Sequence, residues 1–228
     1  MKLLLIDSNP NSSFVAYYTD SEFITSKTAD FMTADEQKSI NKSPDKLIQC
    51  LDYIANQPGK ELEYIDAVSV TIGPGSFTGI RVGLAIAKGI ANSLEKKIIP
   101  VNNFHLMLSR LLEIDKNKTY CVLIPAKLPE LYYSLIKNKK DIKSGIVQLT
   151  EINTIIDENT AVVSDFSDET VGNLSYFSPS GINKLNYEPD SMAKLSAELF
   201  ESGYMFPSGE VKPLYIKDFV FRKTLSNK

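Results

Sequence analysis

The stretch Thr71-Ile72-Gly73-Pro74-Gly75-Ser76-Phe77-Thr78-Gly79-Ile80-Arg81-Val82-Gly83 constrains this chain more than any other. A β-rich run from Asp66 to Gly73 leads into it, and a helix-period pattern from Thr78 to Leu94 follows. The glycines and proline must therefore turn a strand into a helix. Gly73 and Gly75 admit backbone angles that a side chain resists, while Pro74 fixes one torsion and removes one donor. Thr78 is placed to cap the helix, whose free amides and positive end face back toward the turn. Such a place suits an anion, yet the spacing fits neither nucleotide motif. No Gly-Lys-Ser/Thr follows, and no third glycine comes after two intervening residues. A phosphate cradle and a structural turn both stay open, and the turn is the simpler reading.

Along the helix Gly79, Gly83, Ala87 and Ala91 recur every fourth residue and lay a stripe of small residues down one side. Val82, Ile86 and Ile90 form an apolar ridge beside it. Gly83 and Gly89 inside a helix together cost about 2 kcal/mol relative to alanine, so close approach of another backbone is the natural compensation. Either the chain's own sheet or a partner helix across a subunit interface supplies it. Arg81 and Lys88 stand at the margin of either contact as solvated charges.

The rest of the chain frames this segment. Lys2 to Ser8 reads as a buried strand, Ser13 to Thr19 and Glu22 to Thr28 as two more in an antiparallel meander, and Ser43-Pro44 as a helix start carrying Leu47, Leu51, Ile54 and Ala55. Lys97 to Val101 is the next strand and Phe104 to Glu113 the next helix. Three strands, helix, strand, helix, strand, helix is the element order of a ribonuclease-H-like, or actin-like, α/β domain: a mixed sheet with helices on its faces. Strands then restart at Thr119 to Ala126, Leu131 to Lys137, Gly145 to Leu149 and Ala161 to Asp165. A helix from Asp190 and a last strand, Lys212 to Phe219, complete a second copy. The expected division is residues 1–115 and a smaller, degenerate domain over 116–228. Lys137-Asn138-Lys139-Lys140 reads as a solvated turn, with a weak phosphate or partner patch as its other use.

Composition narrows the partners. The 228 residues carry a formal charge of -3, which gives no general basic footprint for nucleic acid. Cys50 and Cys121 match no metal or redox spacing and read as reduced, packed thiols. Met1-Lys2-Leu3-Leu4-Leu5-Ile6 is followed at once by Asp7, so it is no signal peptide, and charges interrupt every apolar run before it reaches bilayer length. A soluble, cytoplasmic protein without a membrane role is expected.

With these residues in view, the chain resembles the TsaB (YeaZ) family, a bacterial subunit of the machinery that makes threonylcarbamoyladenosine in transfer RNA. Gly73 to Gly83 match the family's Gly-Pro-Gly-Ser-Phe-Thr-Gly and helix opening throughout, and Ala87-Lys88-Gly89 is its familiar continuation. Leu5-Ile6-Asp7-Ser8, Pro100-Val101-Asn102-Asn103 and Pro213-Leu214-Tyr215-Ile216-Lys217 resemble further family segments. Departures are Ile40-Asn41-Lys42-Ser43, where the family often carries a histidine, and Pro125-Ala126-Lys127 with Glu130-Leu131-Tyr132, where Asp-Ala-Arg and Glu-Val-Tyr are usual. The resemblance implies two actin-like domains and a non-catalytic scaffold that binds and stabilises the catalytic paralogue TsaD, with the ATPase TsaE joining. TsaD would transfer threonylcarbamoyl to the adenosine beside the anticodon. A homodimer competes for the same helical face, and tRNA is reached only through the complex. The implied interface comprises Gly75, Ser76, Phe77 and Thr78 at the helix start and Gly79, Arg81, Val82, Gly83, Ile86, Ala87 and Ile90 along it. No cofactor is expected on this chain, with ATP and magnesium entering in the assembled complex.

An enzyme reading is weaker. A relative of this fold that does the chemistry carries His-x-x-x-His, and this sequence has one histidine, His105, read as structural. No Gly-x-Ser-x-Gly elbow supports a serine triad. The alternative is a stand-alone actin-like ATPase or small-molecule kinase. Its residual nucleotide or magnesium site would use Asp7 at the end of the first strand, with Ser8, Asn9 and Ser12. The plainer role for Asp7 is to cap the turn through Asn9-Pro10.

Overall fold

A computed structural model describes residues 1–9, 13–20, 22–28, 44–111, 114–127, 129–164 and 189–216; for 22–28, 44 and 45 it describes the backbone alone. Ser12, the proposed cap Ser43, the Ile40–Ser43 segment and Lys217 to Phe219 lie outside the described residues.

The first sheet runs β3-β2-β1-β4-β5, from β1 (Lys2–Asp7), β2 (Phe14–Thr19), β3 (Glu22–Thr28), β4 (Ala67–Gly73) and β5 (Lys97–Asn102). β1, β2 and β3 pair antiparallel, and β1, β4 and β5 pair parallel. This is the expected ribonuclease-H-like arrangement, because a parallel pair needs a crossover and the chain supplies a helix each time. α1 (Pro44–Ala55) crosses from the meander to β4, and α2 (Phe77–Ser93) from β4 to β5. The strands are apolar without alternation because both faces are covered. Leu4, Ile6, Val68 and Val70 meet α1 and α2 on one face. Leu3, Leu5, Ala67 and Val101 meet α3 (Asn103–Ser109) and α4 (Pro189–Glu201) on the other.

The second sheet, β8-β7-β6-β9, is built from β6 (Thr119–Pro125), β7 (Glu130–Lys137), β8 (Lys140–Gln148) and β9 (Thr160–Ser164). β6 is antiparallel to β7 and parallel to β9, and β7 is antiparallel to β8. The order and directions repeat β3-β2-β1-β4 of the first sheet. α3 lies between the two sheets: Leu106 joins the core of the first, and Phe104, Met107 and Leu108 pack with Tyr120, Val122 and Ile124 of the second.

Three expectations are corrected. α3 ends at Ser109 rather than Glu113 and is capped by Asn102, whose side chain accepts from Phe104 N–H at 2.8 Å. Residues 212–216 form no strand. That stretch is tied to β4 by one backbone bond, Leu214 N–H to the Ile72 carbonyl at 2.8 Å, and Phe206 bridges to Ile98 of β5. Residues 206–214 thus strap the first sheet. α4, assigned by sequence to the second unit, also packs on the first sheet, and Ser196 meets Ser69 of β4 through buried hydroxyls 2.7 Å apart. Among the described residues no helix is long and apolar enough to cross a membrane.

Candidate functional site

β4 ends at Gly73, whose φ of +107° is open to glycine and costly for other residues. A Cβ there would also press on Leu214 of the tail and Ile80 of α2. The turn is pinned from the side by Asn103, whose amide donates to the Pro74 carbonyl at 3.0 Å. Ser76, rather than Thr78, is the N-cap of α2 and accepts from Gly79 N–H at 3.3 Å. The helix closes with Glu95 in the left-handed region and Lys96 N–H bonded back to the Ala91 carbonyl.

The small-residue stripe of α2 faces inward. A Cβ on Gly79 would stand 2.5 Å from the backbone carbonyl oxygen of Ser8, and one on Gly83 would stand 2.7 Å from Ser8 Oγ and 2.9 Å from its Cβ. Ala87 and Ala91 are buried against the same sheet. Gly79 and Gly83 thus make packing contacts within the chain: Ser8, just past β1, occupies the space their missing side chains leave. Val82, Ile86 and Ile90 are half-buried beside Leu51 of α1. The outward row consists of Thr78, Arg81, Ala85, Gly89 and Asn92, all exposed. Sequence reasoning missed Ala85, whose signal was its phase, four residues from both Arg81 and Gly89. Nothing lies within 4 Å of a Cβ on Gly89. Gly89→Ala is expected to stabilise the fold by about 0.5–1 kcal/mol, read as a higher thermal midpoint; a lower midpoint would contradict an open site. On α1, Ile48 is 52% exposed, about one helical turn before the half-buried Leu51.

A cleft of about 480 Å³ opens between the two sheets. Asp7, Ser8 and Asn9 at the end of β1, Gly75, Ser76 and Phe77 at the start of α2, and Pro125 to Lys127 after β6 contribute to its walls. Asp7 is fully buried, and its Oδ1 accepts from Thr71 Oγ1 at 2.7 Å and from Asn9 N–H at 3.0 Å; Pro10, in the turn expected there, lies outside the described residues. Burial pushes its carboxyl up to about 6, against the opposing pull of these hydrogen bonds and of Arg110. Among the described residues Asp7 is the single carboxylate in the cleft wall, and a magnesium ion held there would take its remaining ligands from water and phosphate. Ser8 Oγ is buried without a hydrogen-bond partner among the described residues, pressed against Gly83.

His105 pairs with Asp141 of β8 at 3.0 Å, joining α3 to the second sheet. Ser134 donates to the other oxygen of Asp141 at 2.7 Å and is itself fully buried. A nucleophilic triad needs the hydroxyl on the imidazole, whereas here it sits on the carboxylate. Cys50 and Cys121 are buried and not joined in a disulfide, and burial pushes Cys121 up to about 12. At the turn between β7 and β8, Asn138 and Lys139 both take positive φ, and Lys139 reaches Glu198 of α4 at 2.7 Å.

The family model described as TsaD, tRNA N6-adenosine threonylcarbamoyltransferase, matches residues 39–164, more than half of the chain. The tRNA threonylcarbamoyladenosine biosynthesis protein TsaB of Haemophilus influenzae is 31% identical over 113 residues, 50% of this chain and 48% of that protein. The protein of the same name from Buchnera aphidicola is 29% identical over 144 residues, 63% of this chain and 61% of its own length. The matched stretches thus span about half to three-fifths of these relatives. The solved structure of YeaZ from Pseudomonas aeruginosa superposes with a TM-score of 0.70 over 94% of this chain and 100% of that one, at 14% identity, a likeness of fold. Model, relatives and fold agree with the glycine turn and its helix: the chain belongs to the family that the TsaD model describes and, within it, to the TsaB (YeaZ) family.

Proposed function

We propose that this chain is a scaffold subunit, without catalysis of its own, in the formation of threonylcarbamoyladenosine in tRNA. It binds and stabilises a TsaD-like catalytic paralogue, which transfers threonylcarbamoyl to the adenosine beside the anticodon. A TsaE-like ATPase joins the assembly, ATP and magnesium enter with it, and tRNA is reached through the complex, in the cytoplasm. A homodimer through the same helical face competes with the productive pair. The relatives' names support the pathway. The observation that carries the scaffold role is the outward side of α1 and α2. There Ile48 is exposed, Leu51, Val82, Ile86 and Ile90 are half-buried, and Ala85 and Gly89 leave the α2 backbone bare enough for another helix to approach closely.

Gly83 is a poor place to test this, since a larger side chain there collides with Ser8. Ala85 is the better one because it is exposed. Ala85→Arg is expected to weaken binding to the TsaD-like protein by roughly 10–100-fold, with an unchanged thermal midpoint, measured by calorimetric titration. Unaltered affinity would remove this face from the interface.

A further inference from the structure

Arg81 leaves α2 in its second turn, and its side chain is already held. The guanidinium carbon lies 3.6 Å from the centre of the Phe77 ring and 5.8 Å from that of Tyr215. Nε donates to the Tyr215 hydroxyl at 2.9 Å. The two rings stand 5.7 Å apart, tilted by 32°, and remain 39% and 43% exposed. One face of the guanidinium and its Nε–H are thus used inside the chain. The two terminal nitrogens have no acceptor and no carboxylate among the described residues.

A surface arginine normally keeps its rotamer freedom, because an exposed ring contact returns little for losing it. Here the tail brings Tyr215 across from the far end of the chain to fix the side chain, leaving a planar fork of donors aimed outward. That fork matches an oxyanion bidentately, and its ordering cost is met before any ligand arrives. Arginine beside exposed phenylalanine and tyrosine is also the composition of an interface hot spot. The oxyanion is a protein carboxylate rather than an RNA phosphate on two grounds. The chain is net acidic, and Arg81 is the sole cation in its outward row, where an RNA surface needs a run of them.

We propose that Arg81, positioned by Phe77 and Tyr215, is the anchor at the edge of the helical interface that takes a side-chain carboxylate of the TsaD-like partner. This rests on the partner reading above. The test titrates the wild type, Arg81→Gln, Arg81→Lys, Tyr215→Phe and Ala85→Arg against the TsaD-like protein at low and high salt, and against tRNA alone, with thermal melting as the folding control. Arg81→Gln is expected to weaken the protein complex roughly 30-fold and Arg81→Lys about 10-fold, because an ammonium keeps the charge and loses the fork. Tyr215→Phe should lose several-fold, and the salt sensitivity of the wild type should vanish in Arg81→Gln. Full affinity of Arg81→Gln alongside disruption by Ala85→Arg overturns the anchor and leaves the interface standing. Full affinity of both overturns the interface and the anchor with it. Full affinity of Arg81→Lys overturns the bidentate contact. Loss of tRNA binding with protein binding intact overturns the carboxylate in favour of phosphate.

Discussion

Gly79→Ala is expected to lower the thermal midpoint by roughly 2–8 °C, although alanine is the better helix former. The propensity gain is at most about 1 kcal/mol. Against it stands a Cβ 2.5 Å from the Ser8 carbonyl oxygen, and that oxygen belongs to the backbone leaving β1, between strands paired on both sides. Neither element can move without disturbing the sheet, so overpacking should cost about 2–3 kcal/mol and win. Gly83→Val should be worse, since Ser8 Cβ and Oγ both lie under 3 Å from its first added atom. The same substitution at Gly89, on the open side of the same helix, moves stability the other way. A differential melt of the Gly79 and Gly89 alanine variants reads the two signs directly. A midpoint for Gly79→Ala at or above wild type would show that the inward face has room to spare.

Asp7→Asn should change how stability depends on pH. The unfolded carboxyl titrates near 3.8 and the folded one near 6. Between those values the folded protein holds a proton that the unfolded chain has lost, so stability falls as pH rises through the window and the loss is complete above it. At roughly 1.4 kcal/mol per pH unit, the loss is on the order of 3 kcal/mol. Asparagine keeps an oxygen for Thr71 and Asn9 and cannot ionise. Its unfolding free energy, from urea titration, should therefore gain on the wild type by that amount between pH 4 and pH 7. Parallel profiles would show that the Asp7 carboxylate is accommodated as an ion. Arg81 and Ala85 stand on the exposed row of α2 and do not touch this carboxyl, so Ala85→Arg and Arg81→Gln should leave the profile as it is.

The fold was legible in the sequence where local chemistry decides. Leu3 to Ile6 run apolar without alternation because both faces of β1 are covered. The β4–turn–α2 unit follows from Gly73 to Gly75, with Ser76 capping two positions earlier than Thr78. The tail was misread: Lys212 to Ile216 have strand-like residues, but a strand needs a continuous ladder, and only Leu214 finds a β4 carbonyl among them. The cleft was legible in part. Asp7 stood out as an acid ending a buried strand, whereas Asn103, Arg110 and Lys127 reach it only because α3 and β6 fold beside it.

For α2, the spacing of Gly79, Gly83, Ala87 and Ala91 determined by itself that one side of the helix would be bare and admit close approach. Helical phase is a local property, written into residue order. Which neighbour takes that side is a non-local matter, because the end of β1 is brought there by parallel pairing with β4 across 64 residues of chain. The tertiary structure gave the bare side to Ser8 and left Arg81, Ala85 and Gly89 facing out. It also carried Tyr215 over from the tail to hold Arg81 in place, a contact across 134 residues that no periodicity records.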